Sequence, residues 1–254
     1  MAGTSIDPVD DVLQGRRALV TGASGGIGQE LGRRLAESGV DLFLTYSGHA
    51  TEAEQLAGKA RELGRRAEVM QADFADPASP ARVIEAATER LGGLDVVVAA
   101  AGTGTKTPWE DVDEQLWDHT MAVNTRAPFF LAKLALPGMI ERRFGRILLF
   151  SSIAAFNGGV IGPHYASSKA ALHGLTHFLA SRVADTGVTV NAIAPALIRG
   201  TRMLPAGPDD PLPLPIPVGR LGTVEEVADM SLAMLRNGYL TNKVITLDGG
   251  LYPS

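Results

Sequence analysis

The sequence predicts an α/β fold in which a doubly wound parallel sheet carries helices on both faces. Three observations carry that reading. Short apolar runs without polar alternation recur along the chain, among them Arg17 to Thr21, Val96 to Val98 and Arg146 to Phe150; strands buried on both faces read this way. Segments of helical period separate these runs, so strands and helices alternate from end to end. The first strand also leads through a glycine-rich turn, Gly22 to Gly28, into a helix. About seven strands fit this alternation, with no linker that would divide the chain, so residues 15–254 form one domain behind a loose acidic tail at 1–14.

Each element follows in turn. Ile27 to Ser38 reads as a helix with Leu31 and Leu35 on one face and Gly39 beyond its end. Val40 to Tyr46 is a strand, Thr51 to Leu63 a helix, and Ala67 to Gln71 a strand that ends at Asp73. Pro80 opens a helix that runs to Leu91, a position where proline loses no hydrogen bond. Glu110 to Leu136 reads as a helix interrupted near Pro128, and Arg146 to Phe150 opens directly into Ser151 and Ser152. Tyr165 to Asp185 is helical, Val188 to Ile193 a strand, Val224 to Leu235 a helix and Val244 to Leu247 the last strand. Ala196 to Gly219 breaks the rhythm with Pro205, Pro208, Pro211, Pro213, Pro215 and Pro217. Closely spaced prolines exclude an interior helix or a central strand. Its position after the sixth strand makes it a candidate substrate lid, because open α/β sheets bind ligands at that edge.

Composition narrows the function. The chain has 254 residues, is 45% hydrophobic, carries a net charge of -5 and contains no cysteine. Disulfides, thiolate catalysis and cysteine-ligated metal are excluded. No basic cluster points to nucleic acid or an anionic membrane. The five histidines show no clustered spacing, so no metal site is predicted. No apolar run is long enough to span a bilayer, and Asp7, Asp10 and Asp11 interrupt the amino-terminal region. A cytoplasmic protein is expected.

The chemistry is concentrated between Ser152 and Lys169. Tyr165 and Lys169 lie four apart, on one face of their helix. A lysine cation beside a phenol is expected to lower its pKa and make it a usable proton donor and acceptor. Ser152 lies in the loop before them and can direct a hydroxyl at the same substrate oxygen, with Ser151 as the alternative. His164 is expected at the rim of the substrate pocket or exposed. Strand, glycine turn and helix together form the context of a dinucleotide site, where the backbone approaches the phosphates at the helix N-terminus.

These motifs together resemble the classical short-chain dehydrogenases and reductases, over nearly all of residues 14–250, and most resemble the 3-oxoacyl-carrier-protein reductase type. The resemblance implies a Rossmann-type fold. Thr21 to Gly28, TGASGGIG, resembles the family's cofactor turn, which places Gly22, Ser24, Gly25, Gly26, Ile27 and Gly28 against the cofactor. Tyr46 and Ser47, Asp73 and Phe74, Ala101 and Gly102, and Pro195 and Ile198 are the further cofactor contacts it implies, with Tyr165 and Lys169 holding the nicotinamide end. Asn124 resembles the family's active-site asparagine, and Ser152, Tyr165 and Lys169 its catalytic serine and YxxxK pair; the spacing of thirteen residues to Tyr165 favours Ser152 over Ser151. Asp248, Gly249 and Gly250 match its C-terminal DGG. In the implied mechanism Tyr165 protonates a ketone oxygen, Ser152 helps stabilise it, Lys169 holds the ribose, and Asn124 positions a water behind Lys169.

The departures from the pattern are informative. Ala99 to Gly102 reads AAAG where the family has two asparagines, and Gly200 stands where a threonine is expected, with Thr201 one position later. The end of the second strand, Thr45 to His49, has no carboxylate to hold a ribose hydroxyl pair. That favours NADP(H), with NAD possible, although Gly25 stands where phosphate-selective relatives often carry arginine. The resemblance further implies a homotetramer paired through the helices Glu110–Leu136 and Tyr165–Asp185. The expected substrate is a 3-oxoacyl thioester on an acyl carrier protein, docking near Arg142, Arg143 and Arg146 at the active-site mouth. A small cyclic ketone, a sugar or another specialised alcohol is the alternative, and a non-catalytic nucleotide-binding scaffold is the rival class.

Overall fold

The structure is a computed structural model that describes residues 12–204, 212 and 214–253. Its strands are β1 (Arg17–Thr21), β2 (Asp41–Tyr46), β3 (Ala67–Gln71), β4 (Val96–Ala99), β5 (Gly145–Phe150), β6 (Val188–Pro195) and β7 (Lys243–Leu247). All pair in parallel, in the order β3-β2-β1-β4-β5-β6-β7. Successive residues of a strand face opposite sides of the sheet, so a strand covered on both sides must be apolar throughout. Val96 and Val98 point into one core and Val97 into the other.

Helices α1 (Gly26–Glu37), α2 (Ala50–Glu62) and α8 (Val224–Arg236) cover the first side, against Val20, Leu42, Leu44 and Leu148. Helices α3 (Ser79–Leu91), α5 (Ala127–Glu141) and α7 (Pro163–Val183) cover the second, against Leu19, Phe43, Ile147 and Val190. The reversal of strand order lies between β1 and β4, which opens a crevice at their carboxyl ends.

Several expectations need correction. The helix predicted over Glu110–Leu136 is interrupted, as expected, but the break lies ahead of Pro128 and the element's ends differ. A 3-10 turn at Trp109–Asp111 precedes α4 (Glu114–Met121), a π-helical turn occupies Ala122–Arg126, and α5 runs on to Glu141. Pro128 sits in the first turn of α5, where it is tolerated; the irregular turn lies just before it. The short helix α6 (Ala154–Asn157) was not expected. At the amino end, Leu13 is fully buried against the α1 side, while residues 1–11 lie outside the described residues. Of the prolines at the candidate lid, Pro205, Pro208, Pro211 and Pro213 also lie outside them. No helix among the described residues is long and apolar enough to cross a membrane.

Candidate active site

The parallel topology sends the loops after six strands to one edge of the sheet. There lie the Gly22–Gly28 turn after β1, Tyr46 and Ser47 at the end of β2, and Asp73 and Phe74 after β3. Ala101 and Gly102 follow β4, Ser152 follows β5, and Pro195 and Ile198 end and follow β6. Helix α7 brings Tyr165 and Lys169 to the same edge, and the π turn brings Asn124. Asp73 is exposed and accepts the Ala75 N–H at 2.9 Å, a local turn that fixes its carboxylate.

Asn124 is fully buried and tightly held. Its Nδ2 donates to the Thr103 carbonyl at 2.8 Å and to Ser168 Oγ at 3.0 Å, and its Oδ1 accepts the Thr103 N–H at 2.8 Å. Both amide hydrogens are therefore committed, and the side chain acts as a clamp on the loop after β4. Ser168 Oγ passes its own hydrogen to the Tyr165 carbonyl at 2.7 Å. A Cβ at Gly102 would lie 3.2 Å from Lys169 Nζ and 3.4 Å from Asn124 Oδ1, so the loop runs close over both. Thr103 and Ser168 were missed by sequence reasoning; Ser168 carried one available signal, lying on the same helix one turn from Tyr165.

Ser151 and Ser152 diverge although adjacent. Ser151 Oγ donates to the Lys169 carbonyl at 3.0 Å and pairs with His173 Nε2 at 2.8 Å, so it is occupied. Ser152 Oγ accepts the Ala154 N–H at 3.2 Å and lies beside the Tyr165 phenol, whose pKa it lowers. Burial outweighs that effect and pushes the phenol up. Lys169, also buried, donates to the Phe150 carbonyl at 2.8 Å, and burial pushes its ammonium down to about 8. The expectation that lysine lowers the phenol is thus corrected: Nζ lies 5.8 Å from the Tyr165 ring centre and desolvation dominates. His164 is corrected too. It is fully buried rather than at the rim, because the backbone of Gly162 folds over its ring.

The family model described as short chain dehydrogenase matches residues 16–210, which include the glycine turn, Asn124, Ser152, Tyr165 and Lys169. The chain belongs to the short-chain dehydrogenase family. This makes it an NAD(P)-dependent oxidoreductase acting on CH–OH and C=O groups. It is 34% identical to the 3-oxoacyl-[acyl-carrier-protein] reductase FabG of Vibrio cholerae, over 94% of this chain and 98% of the relative. It is 31% identical to L-rhamnose 1-dehydrogenase (NADP(+)) of Thermoplasma acidophilum, over 94% of this chain and 97% of the relative. Among solved structures, a blue fluorescent protein from a metagenomic library in complex with NADPH superposes with a TM-score of 0.88 at 35% identity, covering 95% of this chain and 99% of that one.

The residues of this short-chain dehydrogenase fit a dinucleotide. Gly22 has φ 69°, and a Cβ there would lie 2.9 Å from Ala101 Cα; at Gly28 it would overlap the Gly22 carbonyl. Side chains at these points would close the cradle over the first turn of α1. Gly25 has φ -88° and a Cβ there would make only an ordinary contact, 3.4 Å from the Gly22 carbonyl oxygen, so its lack of a side chain is not forced by the backbone. The brace from β1 to the loop after β4 is made by Thr21, whose Oγ1 accepts the Ala101 N–H at 3.0 Å, in a sequence that carries Ala99 and Ala100 there. Thr201 turns its hydroxyl to the Ile198 carbonyl at 3.0 Å, within its own loop.

The arginines expected at the mouth are elsewhere. Arg142 and Arg143 precede β5 and Arg146 is its second residue, whereas Ser152 follows it, which puts all three towards the opposite edge, about 20 Å away for a strand of this length. Arg142 is tied to Asp95 and to the Leu94 carbonyl, and Arg146 is buried and donates to the Leu235 carbonyl at 2.9 Å. Burial pushes Arg146 down to about 10. Of the three only Arg143 is exposed and without an acidic partner among the described residues; it donates to the Asp185 carbonyl at 3.1 Å.

Proposed function

We propose that the protein reduces a ketone to a secondary alcohol with NADPH, with Tyr165 as the proton donor. The observation that carries this reading is the convergence of Ser152, Tyr165 and Lys169 on the crevice beside the glycine cradle. When bound, the nicotinamide supplies the hydride to the carbonyl carbon. The chain's residues do the rest. Ser152 and Tyr165 offer hydroxyls to the carbonyl oxygen as its negative charge develops. Tyr165, kept protonated by burial, gives that oxygen its hydrogen. Lys169 has hydrogens to spare beyond its bond to Phe150, and these hold the ribose hydroxyls. Asn124 fixes the loop over Lys169 and so helps to position a relay water behind it.

The cofactor is NADP(H). The end of β2 presents Tyr46, Ser47 and His49 and no carboxylate, so a 2'-phosphate meets no repulsion there. The NADPH complex of the similar metagenomic protein supports the same choice.

The substrate is a 3-oxoacyl thioester, in line with the Vibrio cholerae relative. Because Arg143 lies at the far edge of its own protomer, a carrier protein docked on it would serve the crevice of another protomer. That arrangement needs a second protomer, which the expected homotetramer would supply. Phe130, Leu134 and Ile140 on α5 and Phe178 on α7 remain partly exposed, while Leu172 and Leu179 are spent on the sheet; self-association is the common way to cover such a surface. The second reading, a sugar or cyclic alcohol, is favoured by the L-rhamnose dehydrogenase relative and by the position of Arg142, Arg143 and Arg146 away from the protomer's own crevice. NADPH oxidation should be followed with a 3-oxoacyl carrier protein, its free thioester analogue, cyclic ketones and sugar lactones. Arg143→Glu should slow only the carrier-bound substrate. If only the ring compounds turn over, the thioester reading is wrong; if wild type binds nucleotide yet reduces nothing, the protein is a scaffold.

A further inference from the structure

Arg202 lies in the loop after β6, outside every motif of the family, yet its Nη2 donates at 2.9 Å to the carbonyl of Ser24 in the glycine turn. The contact joins residues 178 positions apart. It is anchored beside a closer one: a Cβ at Gly26 would overlap the carbonyl of Gly200, so loop and turn meet at the first residue of α1. That helix end is where the dinucleotide's phosphates belong.

The charges nearby leave a vacancy that Arg202 fits. Gly25 gives the turn no cation. Arg33 and Arg34, further along α1, are tied to Glu30, Glu37 and Asp229. Arg202 has no ion-pair partner among the described residues and is exposed. One neutral carbonyl uses one of its five donors, and the remaining fork suits two phosphate oxygens.

We propose that Arg202 is a cofactor-binding residue that clamps the diphosphate of the dinucleotide against the N-terminus of α1. This rests on the dinucleotide reading of the glycine turn. The diphosphate is favoured over the 2'-phosphate because Ser24 and Gly26 flank the start of α1, whereas a 2'-phosphate belongs at the end of β2 beside Tyr46 and Ser47. The turn thus takes its cation from a distant loop rather than from its own sequence.

The test is calorimetric binding of ADP, AMP, NADPH and NADH to wild type, Arg202→Ala and Arg202→Lys, with melting temperature as the folding control. Arg202→Ala should weaken ADP, NADPH and NADH by about tenfold or more and by similar factors, since a charge-assisted bond is lost from each. AMP should lose less, Arg202→Lys should recover part of the affinity, and the melting temperature should hold. Loss confined to NADPH would overturn the diphosphate assignment, as would unchanged binding of all four by Arg202→Ala. If wild type itself binds none of them, the dinucleotide reading and this proposal fall together; if wild type binds and only the variants are indifferent, the proposal alone falls.

Discussion

The two edges of the sheet treat buried charge in opposite ways. At the amino edge, Asp95 is 2% exposed and fully answered: Arg17 Nε and Nη2 reach its two oxygens at 2.8 Å each, Arg142 Nε lies at 3.2 Å, and the Arg17 N–H adds a bond at 3.1 Å. Burial pushes this carboxyl up, but the Arg17 bonds and the nearby cations outweigh it and hold it below its ordinary value. At the carboxyl edge, Lys169 is 4% exposed with no ion-pair partner among the described residues, and burial pushes its pKa down to about 8. One edge spends its charges on holding β1, β4 and α5 together; the other leaves donors free for a ligand. A site that must bind and react keeps interactions incomplete, and the rest of the fold supports that cost.

Substitutions can break this contrast. The largest effect is expected for Tyr165→Phe, which should lower kcat for ketone reduction by about 10²–10⁴-fold. Nucleotide affinity and melting temperature should stay near wild type, because the ring remains packed against Gly104. Steady-state kinetics beside calorimetric binding would show it; a variant with undiminished kcat would remove Tyr165 from the chemistry.

Next in size is Asp95→Ala, which should cost about 3–5 kcal/mol by leaving Arg17 and Arg142 without their shared partner. Denaturant unfolding measures the loss, and the remaining folded enzyme should turn over normally. The carboxyl also has a pH signature. Its folded pKa is depressed, so its contribution is present above the unfolded value near 4 and is lost as pH falls through the lower folded value. Wild type should therefore lose stability in that acid window more steeply than the variant.

Lys169 should show the opposite sign. Its folded pKa of about 8 lies below its ordinary 10.5, so the unfolded chain binds the extra proton between these values and stability should rise with pH across that window. Lys169→Met should flatten this slope and raise the melting temperature at neutral pH while abolishing most turnover. A melting temperature that drops in the variant would mean that the bond to Phe150 outweighs the desolvation. The smallest effect is expected at Arg143. Arg143→Glu should change stability by less than about 0.5 kcal/mol, since its side chain is exposed and has no ion pair. A larger loss would show that the amino edge depends on it as it does on Asp95.

The strands were legible in the sequence because a sheet covered on both sides demands continuous apolar runs, as Val96 to Val98 shows. The glycine turn and the Tyr165–Lys169 spacing were legible for the same kind of reason: close approach and a shared helical face are local demands that only certain residues meet. The π turn at Ala122–Arg126 was not legible, because it depends on Asn124 bonding Thr103 and Ser168 from other segments. Nor was the burial of His164, which depends on how Gly162 folds back over it.

By itself the sequence determined the order of the elements and which residues are the candidates for the chemistry, since both follow from local spacing and periodicity. Tertiary structure alone decided how those residues are charged and placed. Burial raises the Tyr165 phenol against the expected help from Lys169. Strand direction puts Arg143 and Ser152 at opposite edges. A loop 178 positions away brings Arg202 to Ser24. Desolvation, strand direction and long-range contact are properties of the folded chain, and no window of sequence contains them.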